Sequence, residues 1–282
     1  QFLRLRRQQR ITGLWSRMTS SVLTASIAGI GFWTRGLPSW ESACAFMADG
    51  QLPEAPPARP SPQLLAPNER RRAPETVAVA LDVALAACTA AGRDPATLAS
   101  VFTSTHGELA ITDYMCETLA TDPGSISPTR FHNSVHNAAA GYWTIGAGAM
   151  TPATAISAYD ASFGQGLLEA LVQLATGTEA VLLVAYDGTA TGPLASVSHS
   201  EGLLGGALVL VRDAIPGQPR LQITLQHASP TDAPAAGALA KFATGNAMLP
   251  MLPLFEALAQ RKPHATLMAG HGKVLGMEIT YD

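Results

Sequence analysis

Two histidines and two asparagines within six positions form the densest polar cluster of the chain: His132, Asn133, His136 and Asn137. The spacing of His132 and His136 suits two metal ligands on one face of a helix. Ser134 and His136, taken with the distant Asp160, also supply the residue types of a Ser-His-Asp hydrolase site. However, a metal site lacks an evident third ligand, and no serine here lies in a G-x-S-x-G turn. The cluster therefore predicts neither a metal centre nor a hydrolase site.

A second group of candidate residues lies in the corner 158–162, Ala-Tyr-Asp-Ala-Ser, between a predicted strand and a predicted helix. Nucleophilic thiolates are favoured in such corners because the dipole of the following helix stabilises their charge. This corner contains no cysteine, and its acidic residue is Asp160. Asp160 is expected to cap the helix through a side-chain oxygen. Ser157 and Ser162 are the other nearby nucleophile candidates, and neither lies in a nucleophile elbow.

The remaining candidates for chemistry carry weaker signals. His106 and Glu108 follow a predicted strand, where a surface turn is favoured over the polar lining of a cavity. The three cysteines, Cys44, Cys88 and Cys116, are an odd number without a CxxC pair, so no disulfide framework is expected. Cys44 and Cys88 lie in helical, alanine-rich surroundings that favour buried structural thiols. Reduced cysteines predict a cytoplasmic protein.

The composition argues against several classes of function. Of the 282 residues 47% are hydrophobic and 14% are charged. No window holds the roughly 18 uninterrupted apolar residues of a membrane span. With only three lysines and an excess of acids, the chain is a poor candidate for binding nucleic acid. The low charge instead favours a surface that a partner covers. Residues 1–17 contain five arginines and no acid, and this basic leader is expected to be non-native or disordered.

The elements that must position these residues alternate between apolar strands and helices. Strands are predicted at 22–33, 98–105, 153–158, 180–187, 202–212 and 221–227. Helices are predicted at 39–49, 74–91, 111–120, 134–145, 162–176 and 252–260, with surface excursions or loops at 51–73 and 121–130 and a short strand-like finish at 265–279. Continuous apolar strands that alternate with helices indicate a largely parallel sheet covered on both faces. The helix at 74–91 is apolar enough to be buried.

A resemblance to β-ketoacyl synthases is carried by four segments, SPTRFHNSVHNAAAGYW, GYWTIGAGAM, LLEALVQL and LLVAYDG. Roughly residues 20–215 resemble the N-terminal half of such a synthase. The resemblance implies an α/β, thiolase-like fold with a layered α-β-α core and a truncated C-terminal half. It divides the chain into a synthase-like domain at 18–215 and an abbreviated C-terminal part at 216–282 packed on the same domain. The first and third segments are similar to the short synthase-like subunits of aryl polyene-type gene clusters.

The resemblance also implies that the condensing chemistry of the family is missing. In the family, the corner after the third strand carries a nucleophilic cysteine. Aligning the small residues and the following helix places Asp160 at that position and Tyr159 just before it. An aspartate is a poor acyl acceptor. The family's enzymes also use two histidines from their C-terminal half, for which His264 and His271 are the candidates here. His271, between two glycines, is expected to be a turn residue without a catalytic role.

The function that the resemblance implies is that of a non-catalytic subunit similar to a chain-length factor. Such a subunit pairs with an active ketosynthase as a heterodimer, meets the acyl carrier protein through that complex, and needs no cofactor. The residues expected to form the interface or line the acyl tunnel are Phe131, His132, Asn133, His136, Asn137, Tyr142 and Trp143. Two alternatives stay open. One is a divergent thioester-processing enzyme (acyltransferase, decarboxylase or hydrolase) on the same fold, and the other is a free-standing acyl-binding or homodimeric protein.

Overall fold

The computed structural model describes residues 22–228 and 236–281. The basic segment 1–17 lies outside the described residues. Within them, eight strands form one sheet: β1 (Leu23–Thr34), β2 (Ala99–Thr103), β3 (Ala153–Ile156), β4 (Ala180–Asp187), β5 (Leu204–Val211), β6 (Arg220–His227), β7 (His264–Gly270) and β8 (Lys273–Thr280). The helices of the same residues are α1 (Trp40–Asp49), α2 (Pro67–Arg72), α3 (Glu75–Ala90), α4 (Leu109–Thr121), α5 (Pro128–Asn133), α6 (Ala138–Ala147), α7 (Ser162–Ala175), α8 (Ala238–Phe242) and α9 (Leu252–Ala259).

The strands follow the order β3-β2-β4-β5-β1-β6-β8-β7 across the sheet. Strands β3, β2 and β4 are mutually parallel, whereas every other neighbouring pair is antiparallel. The prediction of a largely parallel sheet is therefore wrong. Strands β4 and β5 are buried at all eight of their positions, because helices cover both faces of the sheet there. A continuous run of apolar residues indicates that a strand is buried on both faces. It does not indicate whether the strand is parallel or antiparallel to its neighbours.

Two helical layers cover the two faces of the sheet. On one face lie α3 and α6, where the fully buried Trp143 packs against Phe102 of β2 with a ring-centroid distance of 6.3 Å. On the other face lie α1, α7 and α9, where Phe255 packs against Phe32 of β1 at 5.8 Å. Helix α3 is buried along most of its length, as predicted from its composition. The predicted layered α-β-α core is confirmed.

Helix α7 is enclosed between two parts of the curved sheet. A Cβ atom on Gly166 would lie 2.0 Å from Cγ2 of Thr103 in β2. A Cβ atom on Gly164 would lie 2.0 Å from the carbonyl oxygen of Met268 in β7. The two glycines thus let a strand approach the helix closely on each side. Strands β6, β8 and β7, all built from residues after 216, continue the same sheet, and β7 at its end packs against α7.

Two predicted elements differ from the structure. The helix expected at 134–145 is replaced by α5 and α6, which are separated by a short turn. Helix α5 begins inside the predicted loop because Pro128 occupies its first position and the Ser127 hydroxyl accepts a hydrogen bond from the Arg130 backbone N–H, at 3.4 Å. The strand-like finish at 265–279 is a hairpin of β7 and β8. Its turn contains His271, with a φ of 35°, between two glycines of positive φ, so this histidine lies in a turn as predicted.

Candidate functional site

The corner between β3 and α7 is a single 3₁₀ turn, Tyr159–Ala161, followed directly by the helix. Tyr159 has a φ of 54°, in the left-handed region that a bulky side chain rarely adopts. Its carbonyl oxygen accepts hydrogen bonds from Oγ1 of Thr105 (3.2 Å) and Oγ of Ser162 (2.6 Å). A residue in this conformation costs about 1–3 kcal/mol and persists where its surroundings hold it. The two hydroxyls supply that support.

Asp160 is exposed and does not cap α7, so the predicted capping role is wrong. The residue at the N-cap is Ala161, which has no side-chain hydrogen bond to the helix. The 3₁₀ turn shifts the start of the helix and leaves the carboxylate one residue too early. Ser162 satisfies the corner instead, since its Oγ accepts from the Ala158 backbone N–H (3.0 Å) and donates to the Tyr159 carbonyl.

An open cavity of about 1110 Å³ lies beside this corner. Its walls come from the end of β3, the outward-facing side of α7, and the turn between β7 and β8. Asp160 and His271 both line it, so the structure brings together two residues that the sequence analysis treated separately. His264 is elsewhere: it lines a smaller cavity on the outer face of β6, β8 and β7, with Glu278.

Among the described residues that line the cavity, there is no cysteine and no serine that contacts a histidine. Ser157 donates its hydroxyl to the Thr105 carbonyl oxygen at 3.0 Å, and no histidine contacts it. The predicted burial of structural thiols holds for Cys88, whose pKa is raised to about 12 by burial, while Cys44 is half-buried and Cys116 is exposed. The described residues also contain no cluster of three or more histidine, cysteine or acidic side chains that could hold a metal ion.

A buried hydrogen-bond network behind the corner was missed by the sequence analysis. Asp187, at the end of β4, is fully buried, and its carboxylate accepts from Ser104 Oγ (2.6 Å), Thr105 N (2.9 Å) and His106 N (3.1 Å). Burial raises the pKa of Asp187, and these hydrogen bonds oppose the shift. The carboxylate fixes the loop after β2, from which Thr105 reaches Tyr159. The sequence feature that could have indicated this network is Asp187 itself, an acid at the end of an otherwise apolar strand.

The loop after β2 is half-buried rather than the surface turn that was favoured. The His106 ring is hydrogen-bonded through Nε2 to the hydroxyl of Ser198, and its Nδ1 is buried without a partner among the described residues. Glu108 accepts a hydrogen bond from Thr76 Oγ1 at 2.7 Å, and burial raises the pKa of its carboxyl group. Both residues are held by side-chain hydrogen bonds and are half-buried, so a simple surface turn does not describe them.

The predicted interface cluster of α5 and α6 divides into buried and exposed members. Trp143 and Asn133 are buried inside the chain and cannot contact a partner directly. His136 is half-buried, with its Nε2 2.8 Å from the Ser104 carbonyl oxygen, and Tyr142 packs edge-on against the ring of His132. The exposed members are Phe131, His132 and Asn137. These three, and the half-buried His136 and Tyr142 with part of their surface exposed, remain candidates for an outer contact surface.

The edge of the sheet at β3 is unusually apolar. Strand β3 pairs with β2 on one side, and no described strand pairs with its other side. Helices α6 and α7 and the loops beside this edge expose large side chains: Ile145 (79%), Met150 (97%), Tyr159 (61%) and Val172 (41%). An unpaired strand beside exposed apolar side chains is a typical site of association with another chain. We call this region the β3 face.

Three solved structures show similarity across most of the chain. A chain from the complex of a ketosynthase, ApeO, with its chain length factor, ApeC, from Xenorhabdus doucetiae is 26% identical, with a TM-score of 0.71; the alignment covers 91% of this chain and 99% of that one. A chain from the ishigamide ketosynthase/chain length factor is 15% identical, with coverage of 91% and 99% and a TM-score of 0.67. A β-ketoacyl synthase from Burkholderia phymatum STM815 is 14% identical, with coverage of 83% and 70% and a TM-score of 0.56. These similarities confirm the thiolase-like synthase fold.

The family assignment comes from the sequence match. No curated protein matches the chain in sequence. No helix among the described residues is long and apolar enough to cross a membrane. Residues 40–270 match the N-terminal domain of β-ketoacyl synthases. Because this match spans well over half of the chain, the protein belongs to the β-ketoacyl synthase N-terminal domain family.

Proposed function

We propose that the chain is a non-catalytic, chain-length-factor-like subunit that pairs with an active β-ketoacyl synthase and shapes its acyl tunnel. The observation that carries the proposal is the β3 face. Its strand offers unpaired backbone groups, and Ile145 and Met150 expose apolar area that a partner would remove from water. A partner strand that pairs with β3 would satisfy its backbone hydrogen-bonding groups, and the same partner would remove the side chains of Ile145 and Met150 from water.

The corner between β3 and α7 supports a subunit that does not catalyse the condensation reaction by itself. Asp160 stands where the family's nucleophile is expected, and its carboxylate is a poor acyl acceptor. The neighbouring hydroxyls of Ser157 and Ser162 are engaged with backbone groups rather than with a base. Condensation would therefore depend on the cysteine of the partner synthase.

Similarity to solved complexes points the same way. The alignment covers 99% of the matching chain in each of the two ketosynthase and chain length factor complexes. The first of those complexes is also the one with 26% identity. We infer that this chain takes the corresponding place in an aryl polyene-type, cytoplasmic pathway and meets the acyl carrier protein through the complex.

The test is co-expression with the ketosynthase encoded beside it, followed by affinity purification and mass determination by light scattering. A stable 1:1 complex is expected, and omission of this subunit is expected to change the length of the acyl product. The double variant Ile145→Asp, Met150→Asp is expected to abolish the complex, while Leu225→Asp, at an exposed position on β6, should leave it intact. The proposal would be refuted if the wild-type chain is monodisperse on its own and does not bind the synthase.

One observation favours the alternative of a divergent thioester-processing enzyme. Asp160 and His271, a carboxylate and an imidazole, line the same cavity and could serve as an acid and a base. This alternative predicts turnover of an acyl thioester by the purified chain, and loss of that turnover in Asp160→Ala. The partner role predicts no turnover by the purified wild-type chain or by Asp160→Ala.

A further inference from the structure

We propose that the cavity beside the corner is a socket for an apolar segment of the partner ketosynthase that carries lysine or arginine at its flanks. This inference rests on the proposed function and names the contact chemistry of one part of the interface. The cavity adjoins the β3 face, because Tyr159 and Val172 are exposed on that face and also line the cavity.

The floor of the socket is one face of α7 that combines two apolar side chains, Leu168 and Val172, with the polar Gln165 and Glu169. The residues that line the cavity from this helix, at 165, 168, 169 and 172, follow the spacing of a single helix face. The rest of the helix is already packed between β2 and β7 through Gly166 and Gly164. Leu168 is half-buried and Val172 is exposed, with Ile156 of β3 beside them in the lining. An occupant with apolar side chains would complete this packing.

The charge of the socket selects the class of occupant. Its described lining contains two carboxylates, Asp160 and Glu169, one imidazole, and neither lysine nor arginine. Neither carboxylate forms an ion pair within the described residues. Glu169 is held only by the side-chain amide of Gln173, at 3.0 Å. A phosphate or carboxylate would be repelled here, which disfavours pantetheine phosphate or a malonyl group. A protein segment flanked by cations would be attracted.

The experiment measures the Kd of the complex with the co-expressed ketosynthase at low salt and at high salt. Glu169→Lys and Asp160→Lys are each expected to raise Kd about tenfold at low salt, with a smaller effect at high salt, as expected for rim charges. Glu169→Gln should shift Kd in the same direction by a smaller factor. The control is Asp213→Lys, a reversal of a carboxylate at the end of β5 that is outside the cavity, and it should change Kd by less than about twofold.

The outcomes separate this inference from the proposed function. If the wild-type complex forms but the two cavity reversals bind as tightly as the control, the socket is refuted and the partner role stands. If the wild-type chain forms no complex, both the socket and the proposed partner function are refuted. Binding of pantetheine phosphate to the isolated chain that becomes tighter in either lysine variant would place that ligand in the cavity and would also overturn the socket. Thermal unfolding of each variant, with a midpoint near the wild-type value, establishes that a weakened complex is not caused by misfolding.

Discussion

Replacing Gly164 with alanine tests whether β7 closes over α7 and walls the cavity. The new Cβ atom would lie 2.0 Å from the carbonyl oxygen of Met268, whereas real Cβ atoms essentially never approach within 3.0 Å. The obstacle is backbone, so strand and helix must separate by about 1 Å or more, and overpacking of this kind costs about 1–3 kcal/mol. Alanine recovers at most about 1 kcal/mol of helix propensity. With that full gain subtracted, the expected net loss is up to about 2 kcal/mol, or a fall in Tm of up to about 8 °C.

The matched control is Gly141→Ala in α6, where a Cβ atom would meet nothing within 4 Å. The same substitution there should raise the free energy of unfolding by up to about 1 kcal/mol, because only the propensity gain applies. Urea unfolding followed by circular dichroism measures both variants against the wild type. If Gly164→Ala proves as stable as Gly141→Ala, β7 does not pack on α7, and the enclosed position of the helix is refuted.

Two further predictions concern the corner and the network behind it. Asp160→Ala should change the free energy of unfolding by less than about 0.5 kcal/mol, since the carboxylate is exposed and caps nothing. Ser162→Ala should cost about 1–2 kcal/mol, because it removes hydrogen bonds to Ala158 and Tyr159; equal losses in urea unfolding would restore the capping interpretation of Asp160. Burial raises the pKa of Asp187 in the folded state, so its contribution to stability is lost as the pH rises from about 4 through the folded pKa. The wild type should therefore lose stability relative to Asp187→Asn over that range, and parallel pH profiles of unfolding would contradict this.

Most elements of the fold were predictable from the sequence, but the strand directions were not. The strand predicted at 180–187 has the observed bounds of β4, because an apolar run between polar turns marks a buried strand. The run at 202–212 reads the same way, yet β5 is antiparallel to β4. Side-chain burial is identical for the two directions. Whether two neighbouring strands are parallel or antiparallel depends on the end of the sheet at which the connecting loop brings the chain back. The residue pattern within a strand does not contain this information.

The candidate site was predictable only in part, for two physical reasons. The position of the corner followed from the strand and helix patterns, but the role of Asp160 depended on a shift of one residue at the helix start, which lies within the ordinary uncertainty of helix ends. The meeting of Asp160 with His271 depended on the curvature of the whole sheet. That curvature places the turn of a distant hairpin beside the corner, so no spacing between these two residues could indicate it.

The corner holds a costly backbone conformation at Tyr159, one residue before the position where the family's nucleophile is expected. Tyr159 is held with a positive φ by hydroxyls of Thr105 and Ser162, and the loop of Thr105 is in turn fixed by the buried carboxylate of Asp187. Such strain is stable only where the surroundings enforce it. What it achieves here is to present an aromatic side chain, 61% exposed, at the junction of the β3 face and the cavity. The turn therefore directs a tyrosine toward the surface that, under the proposed function, a partner subunit would cover.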